Sequence, residues 1–195
     1  MVDLQAPFRR AAPADARVLA ELVNFASEGM AYYVWSKLAG PGMDAWAVGS
    51  ERARRDTGAF SYRNAVVADE GSRVVAGLVS YPLPERPEPI PESMPAMFVP
   101  LQELENLAPG SWYVNVLAAD PEQRGKGYGT ALLAIAEALA AEAGKAALSI
   151  IVSDSNVGAR RLYERCGYAD VARRHKVKEA WDNPGTNWVL LVKRP

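Results

Sequence analysis

A strand, a glycine-rich loop, a helix and a second strand follow one another between Ser111 and Val152, and this order constrains the fold more than any other feature. The stretch Ser111–Ala118 reads SWYVNVLA, a composition typical of a strand. The alanine- and leucine-rich run from Tyr128 predicts a helix that ends near Gly144. The residues AALSIIVS then predict another strand. Two strands joined through a helix run parallel with a right-handed crossover, so we expect an α/β unit here.

The rest of the chain predicts further helices and strands around the same sheet. Apolar residues at helical spacing predict a helix over Asp15–Ser27 and a second helical region that the sequence GPG interrupts. The stretch NAVVADEGSRVVAGLVSYP predicts a hairpin that turns at Glu70–Ser72. A short helix is expected in LQELENLAPG and another in NVGARRLYERCGY, and YADVARRHKVKEAW and NWVLLVKR predict the last two strands. We therefore expect an α/β (α+β) fold with one central mixed sheet in a single domain, residues 1–195.

Six prolines lie between Pro82 and Pro95, and they exclude a regular helix or a central strand there. We expect segment 82–100 to be an ordered excursion within the domain, because too little chain lies on either side for two separate cores. The longer stretch Pro82–Gly110 carries five glutamates and one arginine, a formal charge of −5 + 1 = −4. A lid with this charge over an acceptor site would favour a small cationic amine.

Composition argues against several classes of function. With 195 residues and a formal net charge of −1, the chain offers no bulk electrostatic reason for a nucleic-acid or membrane partner. One cysteine, Cys166, allows no internal disulfide, and one cysteine with one histidine makes a zinc site implausible, so we expect no metal. We expect no signal peptide in the N-terminal residues, which lack an apolar stretch behind a basic start, and the sequence holds no apolar run of membrane-spanning length. We therefore expect a cytoplasmic protein.

The loop RGKGYG places glycines at positions 125, 127 and 129, between the predicted strand and the predicted helix. The first amides of a helix lack internal partners and form an anion site, which glycines open to a bulky phosphate. Arg124 and Lys126 add positive charge. A tight turn that binds nothing is the plain alternative. The loop lacks the Walker A pattern, and its spacing differs from the Rossmann fingerprint, whose acidic residue would have to be the distant Asp154.

The residues Arg124 to Gly129 resemble the [QR]-x-x-G-x-[GA] signature of the GNAT superfamily of N-acetyltransferases. The later stretch NVGARRLYERCGY is similar to a second segment of that superfamily, N-x-x-A-x-x-x-Y-x-x-x-G-[FY]. Both motifs occur in the order and at a separation that the superfamily shows, and they cover about Ser111 to Tyr168. The resemblance implies a GNAT-like acyltransferase fold in which the two parallel strands splay apart at the cofactor.

The resemblance also implies the site residues. The cosubstrate would be acetyl-CoA, and Tyr163 would protonate the departing thiolate. The amide of Leu117 would point at the thioester oxygen. The strand exit would pair with the pantetheine arm, the loop amides would hold the pyrophosphate, and the later motif would add further contacts. These cofactor-binding residues are Leu117, Ala118, Ala119, Arg124, Gly125, Lys126, Gly127, Tyr128, Gly129, Thr130, Asn156 and Ala159.

No general base is evident, because the strand before the loop carries no carboxylate. Glu28, Glu103 and Glu105 are candidates, although each is also typical of a solvated surface charge. The sequence thus favours acetyl transfer to a primary amine of a small molecule, by direct attack in a ternary complex, with a homodimer as an open expectation. A non-catalytic acyl-CoA-binding module of the same fold is the alternative, and a nucleotide-binding domain of another class is a third interpretation.

Overall fold

The computed structural model describes residues 2–71 and 73–194. Its strands are β1 Phe8–Arg10, β2 Ala65–Asp69, β3 Val74–Pro82, β4 Trp112–Ala119, β5 Leu148–Ser153, β6 Ala169–His175 and β7 Asn187–Lys193. Its helices are α1 Ala16–Ala26, α2 Met30–Leu38, α3 Ala45–Arg54, α4 Val99–Glu105, α5 Tyr128–Glu142 and α6 Val157–Arg165.

Within the described residues, the strands form one seven-stranded sheet in the order β1-β2-β3-β4-β5-β7-β6. Strands β4 and β5 are parallel, as the βαβ pattern predicts, whereas β1–β2, β2–β3, β5–β7 and β6–β7 are antiparallel. The predicted α/β class with a mixed sheet flanked by helices is therefore confirmed. None of the helices among the described residues is long and apolar enough to cross a membrane.

The chain divides into two compact units. The first holds the residues up to Ser80 together with Asn115–Ile135. In it, β2 is fully buried from Ala65 to Ala68, which explains its unbroken apolar sequence. Helices α1, α2 and α3 pack around a buried cluster of Ala20, Ala31, Trp35 and Ala45.

The second unit holds Tyr81–Val114 and the residues from Ala136 onward. Here β5 and β7 pair over six residues, from Leu148 opposite Lys193 to Ser153 opposite Trp188. Val189, Leu190 and Leu191 of β7 are completely buried and form the centre of this unit. The expectation of a single domain over residues 1–195 stays a prediction.

Most predicted elements occur within one or two residues of their expected bounds, but two differ. Strand β1 was missed because its three residues are too short to show a period. Strand β6 ends at His175, earlier than the sequence predicts, and the next side chain, Lys176, is only 3 % exposed. Segment 83–98 contains neither helix nor strand, as its prolines require. The predicted turn at Glu70–Ser72 reaches Ser72, which lies outside the described residues.

Replacing Gly49 with alanine should lower the free energy of unfolding by about 1–3 kcal/mol, because the new methyl group would overpack the core. A Cβ at Gly49 in α3 would lie 2.5 Å from the ring of Trp35. Gly158 in α6 is the matched control, since a Cβ there meets nothing within 4 Å. Gly158→Ala should be neutral or stabilising by up to about 1 kcal/mol. Denaturant unfolding of both variants checks this, and equal effects would contradict it.

Candidate functional site

The glycine-rich loop adopts a backbone that only glycine accommodates easily. Gly125 has a φ of +79° and Gly127 a φ of +90°. A Cβ at either position would meet nothing within 4 Å, so the left-handed backbone, and not crowding within the protein, requires glycine here. The backbone just before the loop is fixed by a hydrogen bond, in which the Asp120 amide donates to the Val75 carbonyl at 2.8 Å.

The loop leads into the first turn of α5, where the backbone amides precede the first helical hydrogen bond. The first helical hydrogen bond runs from the Ala131 amide to the Gly127 carbonyl at 3.1 Å. The amides of Tyr128, Gly129 and Thr130 precede this bond, so they have no acceptor within the helix. Together with the helix dipole, they give this end of α5 the character of an anion site.

Charged and aromatic side chains flank the loop. Arg124 and Lys126 are exposed, and the Lys126 Nζ donates to the Gln123 Oε1 at 2.5 Å. The Tyr128 hydroxyl donates to the Glu70 carboxylate, which raises the pKa of Tyr128. Its side chain thus anchors the loop, while its backbone amide stays available.

Strand β4 extends well beyond its parallel ladder. The ladder with β5 joins Trp112–Val114 to Leu148–Ile150, and β4 continues for five residues after Val114. The ladder ends where the sequence resemblance predicts divergence. Leu117, Ala118 and Ala119, the residues expected to meet the pantetheine arm, are half-buried in this extension.

The asparagine of the second motif, Asn156, has a structural role in addition to its predicted binding role. Asn156 is the N-cap of α6, and its Oδ1 accepts from the Ala159 amide at 3.1 Å. The spacing of Asn156 and Ala159 is therefore explained by helix capping. The Nδ2 group of Asn156 is not needed for the cap.

Tyr163 is the predicted acid, and it lies on the buried face of α6. It is 4 % exposed, and its ring centroid is 6.1 Å from that of Tyr168. Burial raises the pKa of Tyr163, so its hydroxyl remains protonated through the physiological range. Such a group can donate a hydrogen bond to a developing thiolate, and it is a weak acid for complete proton transfer.

Glu105, one of the three candidate bases, is less exposed than a solvated surface charge would be. This last residue of α4 is half-buried, and burial raises its pKa to about 7. The Tyr113 hydroxyl of β4 hydrogen-bonds its carboxylate and opposes that shift. No local sequence pattern signals this burial.

The acidic stretch from Pro82 to Gly110 is partly neutralised. Glu85 pairs with Lys145, and Glu103 pairs with Arg174 at 2.7 Å. These partners reduce the negative charge that the sequence suggested for a lid. The composition of this stretch is therefore a weaker indication of a cationic acceptor than it was in the sequence.

Two other polar groups of the second unit have structural roles. Asp154 accepts from the Thr186 hydroxyl at 2.9 Å and from the Asn187 amide at 3.0 Å, so it is not a free ribose ligand of the Rossmann kind. The Lys176 Nζ donates to Ser153 at 2.5 Å and lies 4.1 Å from the Trp188 ring centroid. Among the described residues, no three His, Cys, Asp or Glu side chains are grouped to hold a metal ion.

A family model described as the acetyltransferase (GNAT) family matches residues 31–168. The structure is similar to a crystal structure of an acetyltransferase, with 23 % identity, coverage of 96 % of this chain and 98 % of that chain, and a TM-score of 0.65. An N-acetyltransferase from Staphylococcus aureus Mu50 gives 18 % identity, coverage of 95 % and 98 %, and a TM-score of 0.62.

A third neighbour is a GNAT family acetyltransferase from Elizabethkingia anophelis that was solved with acetyl-CoA bound. It is 16 % identical, covers 67 % of this chain and 75 % of that chain, and has a TM-score of 0.50. At these identities, the three structures show a common fold and no more. No curated protein matches the chain.

Proposed function

Because the chain belongs to the acetyltransferase (GNAT) family, we propose that it transfers an acetyl group from acetyl-CoA to a primary amine. The amine attacks the thioester directly in a ternary complex, and the acceptor is a small molecule. The observation that carries this proposal is the loop at the start of α5. Gly125 and Gly127 take left-handed backbones there, next to amides that have no helical acceptor.

The glycine-rich loop and the exit of β4 bind different parts of acetyl-CoA in this proposal. The loop amides from Gly125 to Thr130 bind the pyrophosphate of acetyl-CoA, and Arg124 and Lys126 add charge attraction. The exit of β4 pairs with the pantetheine arm like an added strand, and the Leu117 amide donates to the thioester oxygen. An acetyl-CoA-bound neighbour of the same fold supports this choice of cosubstrate.

The site must also stabilise the negative charge that develops on the sulfur of the leaving thiolate. Tyr163 donates a hydrogen bond to the sulfur as the carbon–sulfur bond breaks. Its raised pKa keeps the hydroxyl protonated at neutral pH. Because an ordinary thiol, with a pKa of about 8.5, is the stronger acid of the two, the proton stays on Tyr163 and CoA leaves as a thiolate. Asn156 contributes its free amide group to the pantetheine.

Release of free CoA thiol tests the proposal. Purified protein is mixed with acetyl-CoA and a panel of small primary amines, and thiol is followed with and without amine. We expect release that depends on the amine and on its concentration. Binding of acetyl-CoA without release by any amine of the panel would contradict the proposed transfer.

That outcome would favour the second candidate, a non-catalytic acyl-CoA-binding module. The absence of a carboxylate from β4 is the observation in its favour. A homodimer stays a prediction on either account.

A further inference from the structure

Glu105 lies beside the strand that carries the proposed oxyanion donor. Its carboxylate accepts a hydrogen bond from the Tyr113 hydroxyl, and Tyr113 is the second residue of β4. The Tyr113 ring meets the Tyr81 ring edge-on, with centroids 5.7 Å apart. The hydrogen bond between the Tyr113 hydroxyl and the Glu105 carboxylate thus links the end of α4 to β4.

The groups around Glu105 raise its pKa into the physiological range, so that its carboxyl group is there partly protonated and partly ionised. Burial is the main cause of its pKa of about 7, and the charge of Glu88 acts in the same direction. Burial and Glu105 together also raise the pKa of Tyr81, which stays neutral. Strand β6, which packs against α4, contributes Arg174, but this guanidinium bonds Glu103. A base with a pKa near the working pH is the most effective in proton transfer.

A small cavity adjoins the carboxylate. It has a volume of about 10 Å³ and is lined by Glu105, Glu88, Gln102, Asn106 and Arg86, among others. This volume is close to the minimum that holds one water molecule, and the lining supplies the polar partners that such a water needs.

The proline-rich segment covers this cavity through specific bonds. The Asn106 side chain accepts from the Glu88 amide at 2.9 Å and donates to the Glu88 carbonyl at 2.8 Å. Glu85, farther back in the segment, pairs with Lys145. These bonds fix the segment over the end of α4 and keep Glu105 partly out of water.

We propose that Glu105 is the general base of the acetyl transfer, accepting the proton of the attacking amine through water. This inference rests on the proposed function. The amine nitrogen forms a bond to the acetyl carbon, the carbon–sulfur bond breaks, and the electron pair leaves with the sulfur of CoA. The nitrogen loses one proton to Glu105, and Tyr163 donates a hydrogen bond to the thiolate.

The pH dependence of kcat at saturating substrates tests the role of Glu105. The wild type should show an acidic limb near pH 7, and Glu105→Gln should lower kcat about 100-fold at pH 8 and remove the limb. Glu103→Gln on the same helix is the matched control, and it should keep both the rate and the limb. Tyr113→Phe removes the bond that lowers the pKa of Glu105, so its limb should move to higher pH.

Thermal unfolding supplies a readout that does not depend on activity. Because the folded-state pKa of Glu105 is raised, its contribution to stability is complete below its unfolded pKa of about 4.5 and is lost as pH rises through about 7. The wild type should therefore lose Tm relative to Glu105→Gln between pH 5 and pH 8. A parallel pH dependence of the two proteins would show that Glu105 titrates normally and would overturn the proposal.

The activity results separate this inference from the function on which it rests. Full activity and an intact acidic limb in Glu105→Gln would overturn the role of Glu105 and leave the acetyltransferase standing. Failure of the wild type to release CoA with any amine would overturn both.

Discussion

Replacing Tyr163 with phenylalanine should lower kcat about 1000-fold and leave acetyl-CoA affinity little changed, because one hydrogen-bond donor to the developing charge is lost. The ring would keep its packing on Tyr168, whose centroid is 6.1 Å away. Burial raises the pKa of Tyr163, so we also expect no basic limb from this residue below about pH 10 in the wild type. Thiol release under saturating conditions and calorimetric titration with acetyl-CoA measure the two quantities.

Tyr168→Phe is the matched control for this prediction. Tyr168 is 3 % exposed, and its buried hydroxyl has no hydrogen-bond partner among the described residues. Removal of an unpaired buried hydroxyl is expected to be neutral or stabilising, so this variant should keep both its kcat and its stability. An equal loss of kcat in both variants would indicate that packing, and not the Tyr163 hydroxyl, supports catalysis.

Replacing Gly127 with valine should weaken acetyl-CoA binding about 100-fold. A β-branched residue is strongly disfavoured at a φ of +90°, and strain of about 1–3 kcal/mol must be relieved by moving the amides of the loop. The new side chain would also stand in open space beside the loop, where the pyrophosphate is proposed to bind. Calorimetric titration of the variant with acetyl-CoA measures the loss of affinity.

Gly144, just after the other end of α5, is the control for the backbone effect. It has a φ of +67°, and a Cβ there would meet nothing within 4 Å. Gly144→Val should therefore lower the free energy of unfolding as Gly127→Val does, while its affinity for acetyl-CoA stays that of the wild type. Comparable loss of binding in both variants would indicate that strain anywhere in α5 weakens the site, and the phosphate role of the loop would lose its support.

Local chemistry explains why much of the fold could be predicted from the sequence. The left-handed glycines that end α5 and α6, Gly144 and Gly167, mark real helix ends, and the prolines after Pro82 mark a real irregular segment. Asn156 stands immediately before α6 and caps it, which a sequence pattern can express because the cap spans only three residues. These features depend on neighbours in the chain, so the chain alone suffices to predict them.

Burial and ion pairing depend on residues far apart in sequence. Arg174 reaches Glu103 across 71 positions, and it removes a charge that composition had counted as free. Lys176 appears in the sequence as one more cation of a basic run, yet it is buried against Trp188. A local pattern cannot express such pairs, since the partner is chosen by the packing of distant elements.

The sequence by itself determined the order of strands and helices, the left-handed turns of the glycine loop and the acetyltransferase family to which the chain belongs. Only the tertiary structure distinguished one of the three candidate carboxylates as the proposed base. Glu103 and Glu105 are two positions apart on one short helix and are chemically alike. In the folded protein Glu103 pairs with the Arg174 guanidinium. Glu105 instead accepts a hydrogen bond from the Tyr113 hydroxyl and is half-buried, and desolvation raises its pKa to about 7.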